Sequence, residues 1–406
     1  MPVELPTAQW DTTPPALPRP IAWAALFVVV MLAGAASTLL MWPEGESTHT
    51  TWFWLRLLVF PALAWCLLFG LRWLYHEQEE ARLHAEDEAL AADRANALHF
   101  AQEPLAVLDA RYLCAMGYGG VAAKIAAGQS QLESREPISG GTSVRHTTLD
   151  MDGLTQEDRF QSCFAILLRS LAVSLAGLPR GAPLSVYLQL PATAPHDDVL
   201  KRWQQSWRAT ECHCAETTLL TSERGIMELD AWLDIRGGPQ LERFVLFVAV
   251  QLHEKAEADS AEAAVALLLG WAPFTAREGL TPQALLHRPV EDTRNSTHET
   301  LSQALLWGNT DATKVESLWH AGLGEAKRSA LTQASSDMSL AVSPAETLGG
   351  THDIDVAMGQ AGVASAWLAL ALAVEHASHT QTPQLVASRQ NTLCAAVVQP
   401  AAASQE

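Results

Sequence analysis

The sequence predicts a layered α/β domain that is preceded by two apolar helices. Two stretches near the N-terminus are long and apolar enough to cross a bilayer. After them, apolar runs of strand length alternate with segments of helical periodicity, which is typical of α/β proteins. A helix–strand–turn–strand order then occurs twice and indicates an internally duplicated domain. Roughly 300 residues follow the apolar stretches, enough for one large domain or two ordinary ones.

The first apolar stretch, residues 21–42, contains no charged side chain and can span a hydrocarbon core of about 30 Å. Trp23 and Trp42 lie near its two ends, where indole rings favour the membrane interface. The small residues at 33–35 resemble a signal-cleavage site, so the stretch is open to two interpretations, a permanent anchor and a cleaved signal. Cleavage would leave the second stretch and the topology of the domain unchanged.

The second apolar stretch, residues 51–75, carries an arginine near each end. The guanidinium groups of Arg56 and Arg72 can reach the head groups while their methylene stems stay in lipid. Pro61 cannot donate a backbone hydrogen bond and is expected to kink this helix. Residues 21–75 therefore predict an anchor of two transmembrane helices, with the lipid bilayer as a partner.

Charge asymmetry around the two stretches predicts their orientation. The connecting loop, residues 43–50, has no lysine or arginine, whereas Arg19 precedes the first stretch and Arg82 and Arg94 follow the second. The positive-inside rule then places the loop outside, and the tail of residues 1–20 and the main domain in the cytoplasm. Few lysines and many alanines and arginines suggest a bacterial source, so the expected location is a bacterial inner membrane.

Residues 76–103 are rich in charge and contain neither glycine nor proline, which predicts a solvated helical stalk. Leu83 and Leu90 are one heptad apart, but two leucines are too short a repeat to predict a coiled coil. Residues 401–406 are expected to form a short tail after the domain.

The domain is strongly acidic, because nearly all of the net charge of −19 lies after residue 75. A surface of this sign repels phosphate backbones, so no nucleic acid is expected as a partner. The six cysteines are scattered and show no disulfide framework. This usage suits a reducing compartment, in which most thiols act as small hydrophobic side chains.

The predicted elements of the domain divide into two halves, residues 104–275 and 276–400. The first half begins with a strand and includes a long excursion over residues 128–158. The apolar character of residues 243–254 and 261–272 predicts strands that are buried on both faces. The halves are expected to pack around a shared pair of buried helices. The further expected elements are helices at 160–178, 196–209, 224–235 and 362–377, and strands at 184–191, 216–222, 383–389 and 392–400.

Residues 220–227 (Leu-Thr-Ser-Glu-Arg-Gly-Ile-Met) precede one predicted buried helix, and residues 358–365 (Met-Gly-Gln-Ala-Gly-Val-Ala-Ser) precede the other. Over residues 104–400 this arrangement resembles the thiolase-like fold of the β-ketoacyl synthases. In that family a sharp turn presents a nucleophilic cysteine at the N-terminus of a buried helix, where the helix dipole lowers the pKa of the thiol. The resemblance implies a duplicated α/β/α/β/α domain with a site at this turn.

The sequence departs from this family at its catalytic positions. No cysteine lies at the turn, where Ser222 is the nearest candidate nucleophile. Residues 356–365 contain no histidine, and the His-Gly-Thr motif of the family is absent, since His352 follows a Gly-Gly-Thr sequence instead. A serine hydroxyl without a base is a poor nucleophile at pH 7. We therefore expect a non-catalytic copy of the fold.

The Cys212-His213-Cys214 cluster is a further candidate for chemistry. On an extended segment its two thiols would lie on one side and the imidazole on the other. Zinc sites usually use wider spacings and a second ligand pair, which the sequence lacks. Turn chemistry or helix capping accounts for the pair Asp353 and Asp355. No metal and no cofactor is therefore expected, and phosphate-loop and dinucleotide fingerprints are missing throughout.

Three functions are consistent with these features. The preferred one is a membrane-anchored, non-catalytic adapter or scaffold that binds protein partners; analogy suggests effector handling in bacterial type VI secretion, with a secreted effector as partner. The second is an acyl-transfer enzyme with Ser222, Cys212 or Cys214 as the nucleophile and His352 or His376 as the base. The third is a structural membrane protein that self-associates as a homodimer. The sequence specifies neither the partner nor the pathway.

Overall fold

A computed structural model of the protein describes residues 5–6, 17–43, 45–135, 143–151, 155–210, 215–221, 224–255, 257–342 and 349–401. The chain divides into two compact units, which lie within Glu4–Leu98 and His99–Glu406. In the described residues the first unit contains helices and no strand, whereas the second contains every strand.

The first unit consists of two long helical segments. One is α1 (Pro20–Leu40), and the other runs from α2 (Thr51–Trp54) through a π-helical turn (Leu55–Val59) into α3 (Phe60–Gln102), whose residues from His99 onward belong to the second unit. Both segments are long and apolar enough to cross a membrane by length and composition, and so is α5 (Gln156–Ala176) of the second unit. One face of α5 is buried in the core of that unit.

The second unit is built on an eleven-stranded sheet and a three-stranded sheet. The strands are β1 (Leu105–Cys114), β2 (Glu133–Arg135), β3 (Val144–Thr147), β4 (Leu184–Gln189), β5 (Glu216–Leu220), β6 (Phe244–Gln251), β7 (Ser260–Ala261), β8 (Ala263–Trp271), β9 (Ala284–Leu286), β10 (Val290–Glu291), β11 (Ser317–Ala321), β12 (Thr351–Asp353), β13 (Gln384–Arg389) and β14 (Leu393–Pro400). The remaining helices are α4 (Val121–Ala126), α6 (His196–Arg208), α7 (Met227–Leu233), α8 (Ala272–Arg277), α9 (Thr297–Trp307), α10 (Glu325–Asp337), α11 (Ile354–Met358) and α12 (Ser365–Thr380), with 3-10 turns at Ala312–Lys314 and Gly362–Ala364.

The strand order repeats within the large sheet. The first half follows β5-β4-β6-β8-β1 and the second follows β12-β11-β13-β14-β9, and the halves join where β1 pairs with β9. In each half the first three strands of this order are parallel to one another. The last two strands each run antiparallel to the strand before them. Equivalent strands, such as β5 and β12, therefore lie at equivalent places in the two halves.

Helices cover both faces of the sheet. Every residue of β6 is buried, and so is nearly every residue of β8, as expected for strands enclosed on both sides. α5 and α6 contribute to the core on one face, and α4, α7 and α12 contribute to the core on the other. α12 contacts strands of both halves, including β1, β8, β11 and β13. This helix therefore belongs to the core of both halves.

The helix after β5 is shorter than the sequence suggested. It was expected over residues 224–235, whereas α7 begins at Met227 and ends at Leu233. Gly225 has a φ of 45°, a left-handed conformation that an α-helical residue does not adopt, so the helix begins after it. The expected pair of buried helices is therefore unequal, since α12 has 16 residues and α7 has 7.

The excursion over residues 128–158 contains two short strands that the sequence did not predict. β2 pairs with β3, and β3 pairs with β7. Next to this small sheet, the buried Glu262 accepts a hydrogen bond from Arg159 at 2.9 Å and another from the backbone N–H of Leu149 at 3.0 Å. Glu262, just before β8, thus holds both Leu149 of the excursion and Arg159 of α5.

Candidate functional site

Three candidate nucleophiles, Ser222, Cys212 and Cys214, lie outside the described residues. The chain is described up to Thr221 and again from Arg224, and the N–H of Arg224 donates to the carbonyl oxygen of Thr221 at 3.3 Å. The turn that was expected to carry the nucleophile therefore lies between the end of β5 and the start of α7.

The turn before α7 meets the turn before α12. Gln390, at the tip of the β13–β14 hairpin, packs its amide on Gly225 and donates from Nε2 to the carbonyl oxygen of Val363 at 3.5 Å. The N–H of Val363 donates to Oε1 of Gln251, the last residue of β6, at 3.2 Å. We refer to Gly225, Gln251, Gly362, Val363 and Gln390 as the junction. It brings together the two segments on which the family resemblance was based.

Two glycines allow the close approach at the junction. A Cβ atom on Gly225 would overlap the amide of Gln390, and one on Gly362 would overlap the amide of Gln251. Both glycines also have a left-handed φ, 45° and 49° respectively, which favours a residue without a Cβ atom. The space beside the turn is therefore filled by glutamine side chains of the protein itself.

His253 is a polar group next to the junction that the sequence analysis did not single out. Its Nε2 lies 3.4 Å from Nε2 of Gln251, and its backbone N–H donates to Glu262 at 3.0 Å. It follows β6, and side chains at the carboxyl ends of parallel strands commonly line ligand sites. This position after a fully buried strand is the signal that could have identified it.

A second polar cluster lies at the carboxyl ends of β11 and β12. The buried Asp355 accepts at Oδ2 from the N–H of Gly322 at 2.8 Å, and its Oδ1 has no hydrogen-bond partner in the described structure. Asp353 accepts from Arg328 at 3.1 Å and caps α11 by accepting from the N–H of Val356 at 3.0 Å. Asp353 thus has a capping role of the kind the sequence suggested, whereas Asp355 is a buried acid.

The environment of Asp355 changes its acidity. Burial, together with the nearby charge of Asp353, raises the pKa of the Asp355 carboxyl group to about 7. A carboxyl group with this pKa can exchange a proton near neutral pH. Gly322 links it to the junction, because a Cβ atom on Gly322 would overlap the carbonyl oxygen of Arg389, the residue before Gln390.

His352, the candidate base, lies on the opposite face of β12 from Asp353, because alternate residues of a strand point to opposite faces. Its ring centroid lies 4.3 Å from that of Trp319 and 5.8 Å from that of His376. Burial lowers the pKa of His352 to about 4, with the neighbouring His376 and His320 as smaller causes. The imidazole is therefore neutral at pH 7 and lies against the rings of Trp319 and His376 at a tilt.

The described cysteines of the domain are buried thiols. Burial raises the pKa of Cys114 to about 11 and those of Cys163 and Cys394 to about 12. Because the thiolate is the reactive form, these side chains are unreactive at neutral pH. Within the ranges that the structure describes, no group of three histidine, cysteine, aspartate or glutamate side chains is arranged to hold a metal ion.

Solved structures of ketosynthases share the fold of this chain. The match to the ishigamide ketosynthase/chain length factor covers 73% of this chain and 99% of the other chain, with 15% sequence identity and a TM-score of 0.50. The ketosynthase from module 1 of the bacillaene synthase of Bacillus amyloliquefaciens FZB42 matches 75% of this chain and 77% of its own, with 12% identity and a TM-score of 0.52. The match to the ketosynthase from module 6 of the bacillaene synthase of Bacillus subtilis 168 covers 75% of this chain and 71% of the other chain, with 10% sequence identity and a TM-score of 0.51.

No protein-family model and no curated protein sequence matches this chain. Likeness to solved structures at 10 to 15% identity concerns the fold alone. The repeated strand order and these structural neighbours agree on one architecture. The domain that follows the apolar helices has a mixed α/β, thiolase-like fold of the ketosynthase type.

Proposed function

We propose that the protein is a membrane-anchored, non-catalytic scaffold whose thiolase-like domain binds a protein partner. The observation that carries this proposal is the filled junction. The amide of Gln390 occupies the space beside Gly225, where a reacting acyl group would need room, because small-molecule sites are concave and largely preformed.

The hydrogen bonds of the junction also favour packing over catalysis. Acyl transfer needs a nucleophile, a base and N–H groups that remain free for the developing oxyanion. The N–H of Val363 is already bonded to Gln251, and the amide of Gln390 is bonded to the carbonyl group of Val363. Glutamine amides take up no proton at neutral pH. These groups hold the two halves of the domain together.

The proposal also places the two apolar helical segments in a bacterial inner membrane, with both termini and the domain in the cytoplasm. It is supported by the length and composition of the segments and by the arginines outside the loop 43–50. A reporter fused after Glu406 tests this topology. We expect activity from a reporter that works in the cytoplasm, and activity only beyond the membrane would overturn the orientation.

The proposed partner is a protein, and we still predict that it is a secreted effector of a type VI secretion system. The test is purification of the tagged full-length chain from native membranes, followed by quantitative mass spectrometry of the retained proteins. A mock purification from cells without the tag is the control. We expect one protein in near-stoichiometric amount, and a chain that retains no protein above the control would contradict the scaffold.

Acyl transfer is the second candidate function, and the position of His253 next to Gln251 favours it. A serine- or thiol-directed probe on the full-length chain separates it from the scaffold. Labelling that is lost in Ser222→Ala, Cys212→Ala or Cys214→Ala would identify a nucleophile. His253→Gln should then reduce the labelling, whereas His379→Gln, on the exposed end of α12, should not.

Self-association is the third candidate, and the position of β5 at one end of the large sheet favours it. An edge strand presents unpaired backbone groups to which a second chain can add. Light scattering on the detergent-solubilised full-length chain measures the mass directly. A dimer would support a homodimeric assembly, and a monomer at all concentrations would exclude it.

A further inference from the structure

The first unit contains a groove that arises from an irregular turn of its second helical segment. Within the π-helical turn Leu55–Val59, the N–H of Phe60 bonds to the carbonyl oxygen of Leu55. The same five-residue pattern would require Pro61 to donate to Arg56, and proline has no N–H. The carbonyl oxygen of Arg56 instead lies 3.3 Å from the hydroxyl group of Thr38 on α1, which also donates to the carbonyl oxygen of Gly34 in its own helix at 2.8 Å. A hydroxyl group shared in this way can partly satisfy a carbonyl group that has lost its bond within the helix.

The two helical segments approach closely beside this turn. A Cβ atom on Gly34 of α1 would overlap the ring of Pro61, so only glycine permits the contact. Next to the contact, the helices leave a groove of about 590 Å³. π-helical turns occur frequently at functional sites, so the groove is a candidate binding site rather than a packing defect.

The lining of the groove is mostly apolar, with the hydroxyl groups of Ser37 and Thr38 and one cation. Val30, Ala33, Phe60 and Ala64 contribute apolar surface, and Arg56 contributes its side chain. All lining residues are described, and none of them carries a carboxylate. The recorded contact of the Arg56 guanidinium group is with the ring of Trp52, 5.6 Å from its centroid. Arg56 lies about 7.5 Å along the helix from Thr51, close enough to one end to meet a head group.

We propose that this groove binds one anionic phospholipid, with the phosphate group on Arg56 and an acyl chain along the apolar wall. The inference rests on the proposed membrane location of this unit. Guanidinium groups bind phosphate through paired charge-assisted hydrogen bonds, and the ligand would supply the negative charge that the lining lacks. A second copy of the chain in the groove would bring another Arg56 into the same apolar surroundings without neutralising either cation.

Native mass spectrometry of the delipidated full-length chain tests the proposal, with phosphatidylglycerol and phosphatidylcholine added in mixed micelles. We expect one retained phosphatidylglycerol and at least a tenfold preference over phosphatidylcholine, which corresponds to about 1.4 kcal/mol. Arg56→Gln should abolish the preference. Arg72→Gln, at the other end of the apolar stretch, is the matched control and should keep it. Ala33→Trp should fill the groove and reduce retention of both lipids.

Several results would overturn the site. These are an unchanged preference for phosphatidylglycerol in Arg56→Gln, an equal loss of that preference in Arg72→Gln, unchanged lipid retention in Ala33→Trp, or a second copy of the chain bound in place of lipid.

Carbonate extraction of membranes distinguishes failure of the lipid site from failure of the membrane anchor. A wild-type chain that leaves the membrane fraction would overturn the anchor itself. An Arg56→Gln chain that stays in the membrane and has lost its lipid would support the site.

Discussion

The two halves of the large sheet share a strand order but differ in the buried helix that comes after the equivalent strands β5 and β12. After β12 the chain forms the short α11 and a 3-10 turn and then α12, and most of the 16 residues of α12 are buried. After β5 it forms α7, with 7 residues, of which Leu229, Trp232 and Leu233 are buried. Helices in proteins are stabilised mainly by the packing of an apolar face. Apolar packing therefore stabilises α12 much more than it stabilises α7.

A buried charge cluster holds α7 in place. Arg288 is 1% exposed and donates to Asp230 at 2.7 Å, to Asp234 at 2.5 Å and to the carbonyl oxygen of Leu233 at 2.9 Å. Its guanidinium carbon also lies 5.1 Å from the ring centroid of Phe100. A cation at the C-terminal end of a helix complements the helix dipole. The helix after the same strand arrangement is therefore stabilised by apolar burial in one half and largely by ion pairing in the other.

The largest effect is expected from removing a tryptophan of α12. Trp367 lies 4.9 Å from Phe247, ring centroid to ring centroid, and donates to Oε1 of the buried Gln189 at 2.6 Å. Trp367→Ala should lower the free energy of unfolding by about 4 kcal/mol, because it leaves a cavity and an unpaired amide. Urea unfolding of the full-length chain in mild detergent, followed by circular dichroism, measures this loss.

Trp232→Ala in α7 is the matched variant. Trp232 is also buried, but its Nε1 has no hydrogen-bond partner in the described structure, so no buried acceptor is left unpaired when it is removed. We expect a loss about half as large as that for Trp367→Ala. Equal losses would show that the two helices contribute alike and would contradict the comparison.

Replacing the arginine that holds α7 should have the next largest effect. Arg288→Met keeps the approximate length of the side chain but removes the ion pairs of Arg288 with Asp230 and Asp234, at a cost of about 3 kcal/mol. Hydrogen exchange should quicken in α7 while α12 stays protected. Arg224→Met is the control, because the ion pair of Arg224 with Glu228 is exposed on the arginine side and should contribute little. Uniform quickening of exchange in both helices would contradict the local role of Arg288.

A smaller effect is expected at Asp355, and it depends on pH. Its pKa of about 7 lies above the value of an unfolded aspartate, so the folded chain binds more protons and loses stability as pH rises from about 4 to about 7. Asp355→Asn should therefore be about 2 kcal/mol more stable than the wild type at pH 8.5 and nearly equal to it at pH 4. Unfolding curves at several pH values test this. The exposed Asp337→Asn variant should keep the wild-type profile, and a parallel shift of Asp355→Asn at all pH values would refute the assignment.

The smallest effect is expected at His352, on the acid side. Its pKa of about 4 lies below that of an unfolded histidine, so stability is complete above about pH 6.5 and is lost as pH falls toward 4. His352→Phe should preserve the ring contact with Trp319 and reduce the loss of stability between pH 6.5 and 4.5 by about 1 kcal/mol. Thermal unfolding across this range measures the change, and an unaltered acid limb would show that another group is responsible.

Sequence patterns predicted the strongly buried elements well. The apolar runs at 243–254 and 261–272 became β6 and β8, and the mixed α/β, thiolase-like fold is confirmed by the structural neighbours. The start of α7 could not be predicted, because Gly225 has a left-handed φ and packs against Gln390, a contact between residues that are distant in sequence. The short strands β9 and β12 have 3 residues each, too few for a periodic signal.

The candidate site was only partly accessible from the sequence. Residues 220–227 and 358–365 were recognised as related turns, and the structure brings their glycines together at the junction. Gln251 and Gln390 were missed, because glutamine belongs to no catalytic motif and the contacts depend on long-range packing. The nucleophile candidate Ser222 stays a prediction. Asp355 was attributed to turn chemistry, since burial of a carboxyl group is not visible in a local sequence.

The proposed scaffold role requires that the filled junction excludes acyl-transfer chemistry. The most direct test is intact-mass analysis of the purified full-length chain after incubation with an acyl thioester. We expect no covalent acyl adduct on the wild type, because the amide of Gln390 fills the space beside Gly225. A stoichiometric adduct on the wild type that disappears in Ser222→Ala, Cys212→Ala or Cys214→Ala would contradict the scaffold role.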